Sequence, residues 1–169
     1  MEKLKKEKLK DFVDFLLKEY DVFAPFCEDG IFSFKKVENF YGINLGYKNS
    51  KKPPKEIFFP QEEVMFEYKK REVKSTEKVE RERILLGIRP CDVKAISLLD
   101  NVFAGKEYED VYYVNKRKNT IVVGFACNNP SSTCFCTLCG SGPFSKEGLD
   151  VFIVDIGESF LLEPLSSKG

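Results

Sequence analysis

Four of the chain's six cysteines fall within the thirteen residues from Cys127 to Cys139, in the order Cys127, Cys134, Cys136, Cys139. A fifth, Cys91, sits in the segment Arg89-Pro90-Cys91-Asp92, and Cys27 stands alone upstream. So dense a run of thiols is a poor core element. Its neighbours Asn128, Asn129, Ser131, Ser132, Gly140, Ser141 and Gly142 are short and polar or lack a side chain, and Pro130 and Pro143 stiffen its ends. It reads as a curled loop in which several thiolates can converge. In a reducing compartment such a loop points to metal or redox chemistry before it points to disulfides.

The chain contains no histidine. That excludes a Ser-His-Asp triad, a Cys-His pair, HExxH zinc chemistry, the two-His facial triad, His-ligated haem and Rieske centres. Any metal must rest on thiolates and carboxylates. Six cysteines cannot ligate two all-cysteine four-iron clusters, and the ferredoxin run CxxCxxCxxxC is absent. A single CxxC, Cys136 to Cys139, has no second CxxC to complete a zinc ribbon. The spacing thus favours one metal centre and leaves zinc and iron–sulfur both open. A third reading, Cys136 and Cys139 as a redox dithiol, lacks a thioredoxin-like setting.

The flanking pattern is mixed α/β. Ile84 to Ile88 is a buried-strand run closed by Gly87 and Pro90, and Asp92 to Phe103 has helical spacing through Val93, Ile96, Leu99 and Phe103, with Gly105 as a stop. Cys91 therefore lies where a strand gives way to a helix. A thiolate there meets the positive end of the helix dipole, which favours the ionised form. Asp92 reads as the helix cap, and Arg89 as a charge offset or a surface ion pair. Residues 3–19 read as one amphipathic helix, and Val22–Ala24, Ile31–Phe34, Ile57–Pro60, Val111–Val114, Ile121–Phe125, Val151–Asp155 and Phe160–Leu162 as strands. Val64 to Tyr68 is a further short apolar stretch, Lys48 to Lys55 a polar loop, and Lys69 to Arg83 a charged loop or hairpin. Together these predict a single domain over 1–169, a mixed sheet with helices packed on it and a cysteine-rich loop. A smaller lobe at 1–70 and a cysteine-bearing lobe at 84–169 are where any subdivision would fall.

Charge and composition narrow the partners. Lys+Arg and Asp+Glu are both 27, so no overall positive field exists to hold phosphate, and nucleic acid is not an expected partner. No apolar run is long enough to cross a membrane and no secretory signal opens the chain, so the cytoplasm is the expected compartment. No GxGxxG follows a strand and no P-loop occurs. Glu62 and Glu63, in a charged stretch, read as solvated rather than as a catalytic acid pair. Phe135, between two cysteines, is placed to shield a metal centre from water.

At these residues the chain resembles the N-terminal region of the beta subunits of sulfhydrogenase-type nickel–iron hydrogenases, and is similar to the A subunit of anaerobic sulfite reductase. The resemblance runs over nearly the whole chain. It rests on Ala24-Pro25 with Asp29-Gly30, on PPKEIFFPQEE from Pro53 to Glu63, on Gly87-Ile88-Arg89-Pro90-Cys91-Asp92 with Ala95-Ile96 and Leu99-Asp100, on Cys127, on Cys134-Phe135-Cys136, and on Gly140, Gly142-Pro143 and Gly148-Leu149-Asp150. It implies an electron-transfer subunit of an oxidoreductase with no catalytic centre of its own. It implies one iron–sulfur cluster, of the [4Fe–4S] type, on Cys91, Cys127, Cys134 and Cys136. Zinc on the same thiols, in a structural or interaction module, is the alternative. Cys139 falls outside the family pattern as a spare, a substitute ligand or a packed thiol, and Cys27 reads as a structural thiol. The implied partners are other oxidoreductase subunits, flavin- and NAD(P)-binding or ferredoxin-like. In the family a segment with ferredoxin-like cysteine motifs follows this region, and none occurs within 1–169.

Overall fold

The computed structural model describes residues 1–76 and 81–169. Nine strands and three α-helices are laid out as β1 (Glu2–Lys5), α1 (Leu9–Glu19), β2 (Asp21–Glu28), β3 (Ile31–Lys36), β4 (Phe66–Lys69), β5 (Glu72–Ser75), β6 (Arg83–Ile88), α2 (Pro90–Phe103), α3 (Val111–Lys118), β7 (Thr120–Phe125), β8 (Val151–Asp155) and β9 (Ser159–Pro164). Seven strands form one sheet in the order β1-β9-β8-β7-β6-β2-β3, and β4 and β5 form a separate hairpin. The central pairs β2–β6, β6–β7 and β7–β8 are parallel, and the outer pairs β2–β3, β8–β9 and β1–β9 are antiparallel. The expected mixed α/β domain is what the chain forms.

The sheet is covered on both faces, which is why its central strands read as continuous apolar runs. On one face Leu85, Val122 and Phe152 meet Val93 and Ile96 of α2 and Tyr113 and Val114 of α3. On the other, Ile84, Leu86, Val123, Phe125 and Ile153 meet Val13 and Leu16 of α1. Alternation along β6 breaks at Gly87. Ile84 and Leu86 face α1, whereas Ile88, two residues further, packs on the α2 side. The pairing register with β7 shifts between Leu86 and Ile88, and Gly87 has φ +82°, which marks a bulge. This bulge sets the direction in which the chain leaves β6 for Cys91.

Several sequence expectations change. The span 3–19 is a strand, a 3-10 turn at Lys6–Lys8 and then a helix from Leu9. Val111–Val114 opens α3 and is not a strand: the Asp110 carboxylate accepts the Tyr113 N–H at 2.9 Å, and Lys116, Arg117 and Lys118 face the negative helix end. Ile57–Pro60 is not a strand either. Pro54 starts a 3-10 turn ending at Ile57, and this tucks Phe58, fully buried, beneath α2 and α3. Glu63 is not simply solvated, because it closes on the buried Lys116 ammonium at 2.5 Å. The Lys69–Arg83 stretch contains the second strand of the β4–β5 hairpin, with Lys70 at φ +57° in its turn, and part of it lies outside the described residues. No helix among the described residues is long and apolar enough to cross a membrane.

Candidate metal centre

β6 and β7 lie side by side and parallel, so their carboxyl ends open on the same edge of the sheet. Cys91 enters at the first, one residue into α2, and Cys127 at the second, just beyond β7. The crevice outside the carboxyl ends of parallel strands is the usual ligand site of open α/β sheets. Here a cavity of about 560 Å³ occupies it, and Cys91, Cys127, Cys134, Cys136 and Cys139 all line it. The remaining wall is mostly apolar, from Pro90, Ala95 and Leu98 of α2 and Pro130, Phe135 and Pro143 of the loop. Phe135 and Leu98 are more exposed than buried, so they rim the cavity and do not seal it. Cys27 sits on β2 opposite Phe32 and does not line the cavity.

Backbone contacts shape the loop. The Cys127 N–H donates to the Pro143 carbonyl at 3.0 Å and closes its base, and the Cys134 N–H donates to the Ser131 carbonyl at 3.1 Å. The Ser131 N–H donates to Cys134 Sγ at 3.2 Å, the kind of backbone contact to sulfur that tunes a metal thiolate. A short 3-10 helix runs from Cys136 to Cys139 and ends on Gly140 at φ +67°. Beside it, the Ser141 N–H donates to the Cys136 carbonyl at 3.1 Å. Ser141 lines the cavity, and its Oγ is the sole buried side-chain oxygen without a hydrogen-bond partner among the described residues.

Arg89 is neither a surface ion pair nor a free positive charge. It is buried, and its guanidinium donates from Nη1 to the carbonyls of Ala126 at 2.8 Å and Phe125 at 3.4 Å, and from Nη2 to those of Leu45 at 2.9 Å and Tyr47 at 2.5 Å. The rings of Tyr47 and Phe125 lie 4.7 and 5.3 Å from it. One side chain thus ties the strand leading to Cys91, the residue before Cys127 and the 45–47 segment into one unit. Tyr47 adds a bond from its hydroxyl to the Gly87 carbonyl at 3.2 Å. Burial first, and the nearby Asp92 charge second, push the Tyr47 phenol far above its ordinary range, so it stays a donor.

Two expectations at Cys91 are corrected. Asp92 does not cap α2: the capping position is Arg89, without a side-chain cap bond, and Asp92 lies inside the first turn. Burial pushes the Asp92 carboxyl up to about 6 against the pull of Arg89. Nor does the helix start keep Cys91 ionised. Its thiol is pushed up to about 11, by burial first and then by Asp92, with Cys136 and Cys127 adding to the shift and the Asp92 N–H opposing it. A bound cation's charge would act in the opposite direction and favour the thiolate.

The donor set fits a thiolate-ligated centre: five thiols around one cavity, with no imidazole anywhere in the chain. Among the described residues no three thiol or carboxylate groups stand close enough to share one metal ion. The sequence missed two residues, Tyr47, which bonds the Gly87 carbonyl, and Asn49, which lines the cavity, because nothing in their spacing ties them to the cysteines; the burial of Arg89 was hinted by its place at the end of an apolar strand.

No family model and no solved structure matches the chain. It is 30% identical over 167 residues to sulfhydrogenase 2 subunit beta of Pyrococcus furiosus, an alignment that takes in 99% of this chain and 49% of that relative. The chain therefore spans about half the relative's length. This identity, over nearly the whole of the chain, supports a sulfhydrogenase beta-subunit-like family.

Proposed function

We propose that this chain is a non-catalytic electron-transfer part of an oxidoreductase, holding one iron–sulfur cluster, of the [4Fe–4S] type, between its two cysteine segments. The observation that carries the reading is the convergence of Cys91, Cys127, Cys134, Cys136 and Cys139 on one cavity at the carboxyl ends of β6 and β7. Similarity to a hydrogenase beta subunit supports the oxidoreductase setting.

Cys91, Cys127, Cys134 and Cys136 would supply the four thiolates. When bound, the cluster supplies a one-electron carrier, and no bond to substrate is made or broken on this chain. The protein's own part is to position and insulate. Arg89 fixes the Cys91 and Cys127 segments relative to each other, the Ser131 N–H holds Cys134 Sγ, and Pro90, Ala95 and Pro143 exclude water from one side. The open rim at Phe135 and Leu98 leaves the other side within reach of a carrier. Partners of matching chemistry are flavin- and NAD(P)-binding or ferredoxin-like subunits.

The test is anaerobic iron, acid-labile sulfide and zinc analysis of the chain beside Cys134→Ser. About four irons and four sulfides per chain, lost in the variant, are expected. Stoichiometric zinc without sulfide would make this a zinc-stabilised interaction module and overturn the electron-transfer reading.

A further inference from the structure

Five thiols line a cavity whose proposed occupant takes four. The surplus lies within one element, the 3-10 helix from Cys136 to Cys139. A 3-10 helix has three residues per turn, so side chains at i and i+3 eclipse one another. Cys136 and Cys139 are its first and last residues, and both line the cavity. The turn is locked by its own backbone: the Gly140 N–H donates to the Thr137 carbonyl at 3.4 Å and the Ser141 N–H to the Cys136 carbonyl at 3.1 Å. Cys139 is exposed and free, which removes the reading of it as a packed thiol.

We propose that Cys136 and Cys139 are alternative ligands for a single coordination position, so that the centre exchanges one for the other without leaving the protein. The inference rests on the cluster reading above. The exchange is a ligand substitution with no electron transfer. The iron–Sγ bond to Cys136 breaks as that to Cys139 forms, and the proton of the incoming thiol passes to the released thiolate. No oxidant or reductant is required. A ligand pair on one short turn makes the position tolerant to chemical damage of either sulfur.

The experiment uses the whole chain, reconstituted anaerobically with iron and sulfide and pulsed briefly with iodoacetamide. It is then unfolded, labelled with a second alkylating reagent and mapped by peptide. Cys27, outside the cavity, is the reference free thiol. The expected result is protection of Cys91, Cys127 and Cys134 with the first label divided between Cys136 and Cys139. Cys136→Ser and Cys139→Ser each keep the iron content of the wild type, whereas the double variant falls to the level of Cys134→Ser. The pulse label found wholly on Cys139, or Cys136→Ser losing its iron as Cys134→Ser does, would overturn the exchange while leaving a loaded wild type and the cluster reading intact. A wild type that takes up neither iron nor sulfide overturns both. The wild-type labelling pattern needs no variant, so a misfolded mutant leaves the proposal open to refutation.

Discussion

Replacing Arg89 by methionine removes the guanidinium while roughly keeping the length of its apolar stem. Three carbonyls, those of Ala126, Leu45 and Tyr47, lose donors at 2.8, 2.9 and 2.5 Å, and the weaker contact to Phe125 at 3.4 Å goes with them. A buried polar group left unsatisfied costs ~1–3 kcal/mol, so three sum to about 3–9 kcal/mol. Relief from burying a guanidinium returns part of this, because removing a whole buried charge costs less than stranding one. The net loss should lie near the lower bound, about 3 kcal/mol. At a urea slope of ~2 kcal/mol/M that moves the unfolding midpoint down by about 1.5 M. Lysine keeps the charge but not the planar fork, so Arg89→Lys should fall between wild type and Arg89→Met. The assay is equilibrium urea unfolding of the metal-free protein under reducing conditions. An Arg89→Met midpoint within about 0.3 M of wild type would refute the argument. It would mean that water replaces the guanidinium and that Arg89 does not bind the two cysteine segments together.

Other outcomes follow from single contacts. Gly87→Ala places a Cβ at φ +82°, with Leu45 Cδ2 2.5 Å away, and should cost about 2 kcal/mol in the same assay. Ser141→Ala removes the buried hydroxyl that has no partner, so metal-free stability should stay level or rise by up to about 1 kcal/mol; a loss larger than that would reveal a bond the hydroxyl makes. Burial raises the Asp155 carboxyl, but Lys6 at 2.7 Å and the Gly157 N–H outweigh it and hold its pKa below the usual carboxylate range. A carboxylate depressed on folding stabilises above its unfolded pKa and loses that contribution as pH falls through the folded one. Asp155→Asn should therefore lower the urea midpoint slightly at pH 7, by no more than a surface ion pair's ~1 kcal/mol, and the difference should close as pH falls through the folded-state pKa.

Periodicity and composition revealed much of the sheet, because β6, β7, β8 and β9 are apolar runs buried by layers on both faces. They failed where a local run was ambiguous and a distant contact decided. Val111-Tyr112-Tyr113-Val114 has strand composition, yet the Asp110 cap and the basic last turn make it helical, and Tyr113 is buried under the sheet as part of α3. Both signals stood in the sequence and were outvoted by β-branched and aromatic content. Ile57-Phe58-Phe59 is equally strand-like, and Pro54 at the start of a 3-10 turn overrides it. The Gly87 bulge has no sequence signature beyond the glycine, because a register shift is a property of two strands. At the site, the thiols were legible from identity and spacing. The upward push on the Cys91 thiol was not, since the desolvation and the Asp92 charge that cause it cannot be read along the chain.

The two ties at the cavity differ in what they need, and this separates the fold from the site. Arg89 joins the Cys91 and Cys127 segments through backbone carbonyls with no metal involved. Within the loop, the Cys134 N–H to the Ser131 carbonyl and the Ser141 N–H to the Cys136 carbonyl are short-range bonds, and the Cys127 N–H to the Pro143 carbonyl closes the loop base. Stripping iron with a chelator should therefore leave β6, β7, α1 and α2 folded, and raise amide exchange chiefly between residues 128 and 142. Global stability still falls, because a ligand bound by the native state alone adds its binding free energy to that state. Hydrogen exchange of the loaded and stripped chain, compared peptide by peptide, reads both effects. Loss of protection spreading through β6 and α1 on chelation would show that the metal organises the sheet edge and that the Arg89 tie is secondary. Loss confined to the loop would mean that the scaffold is built first and that the centre is inserted into a crevice already formed.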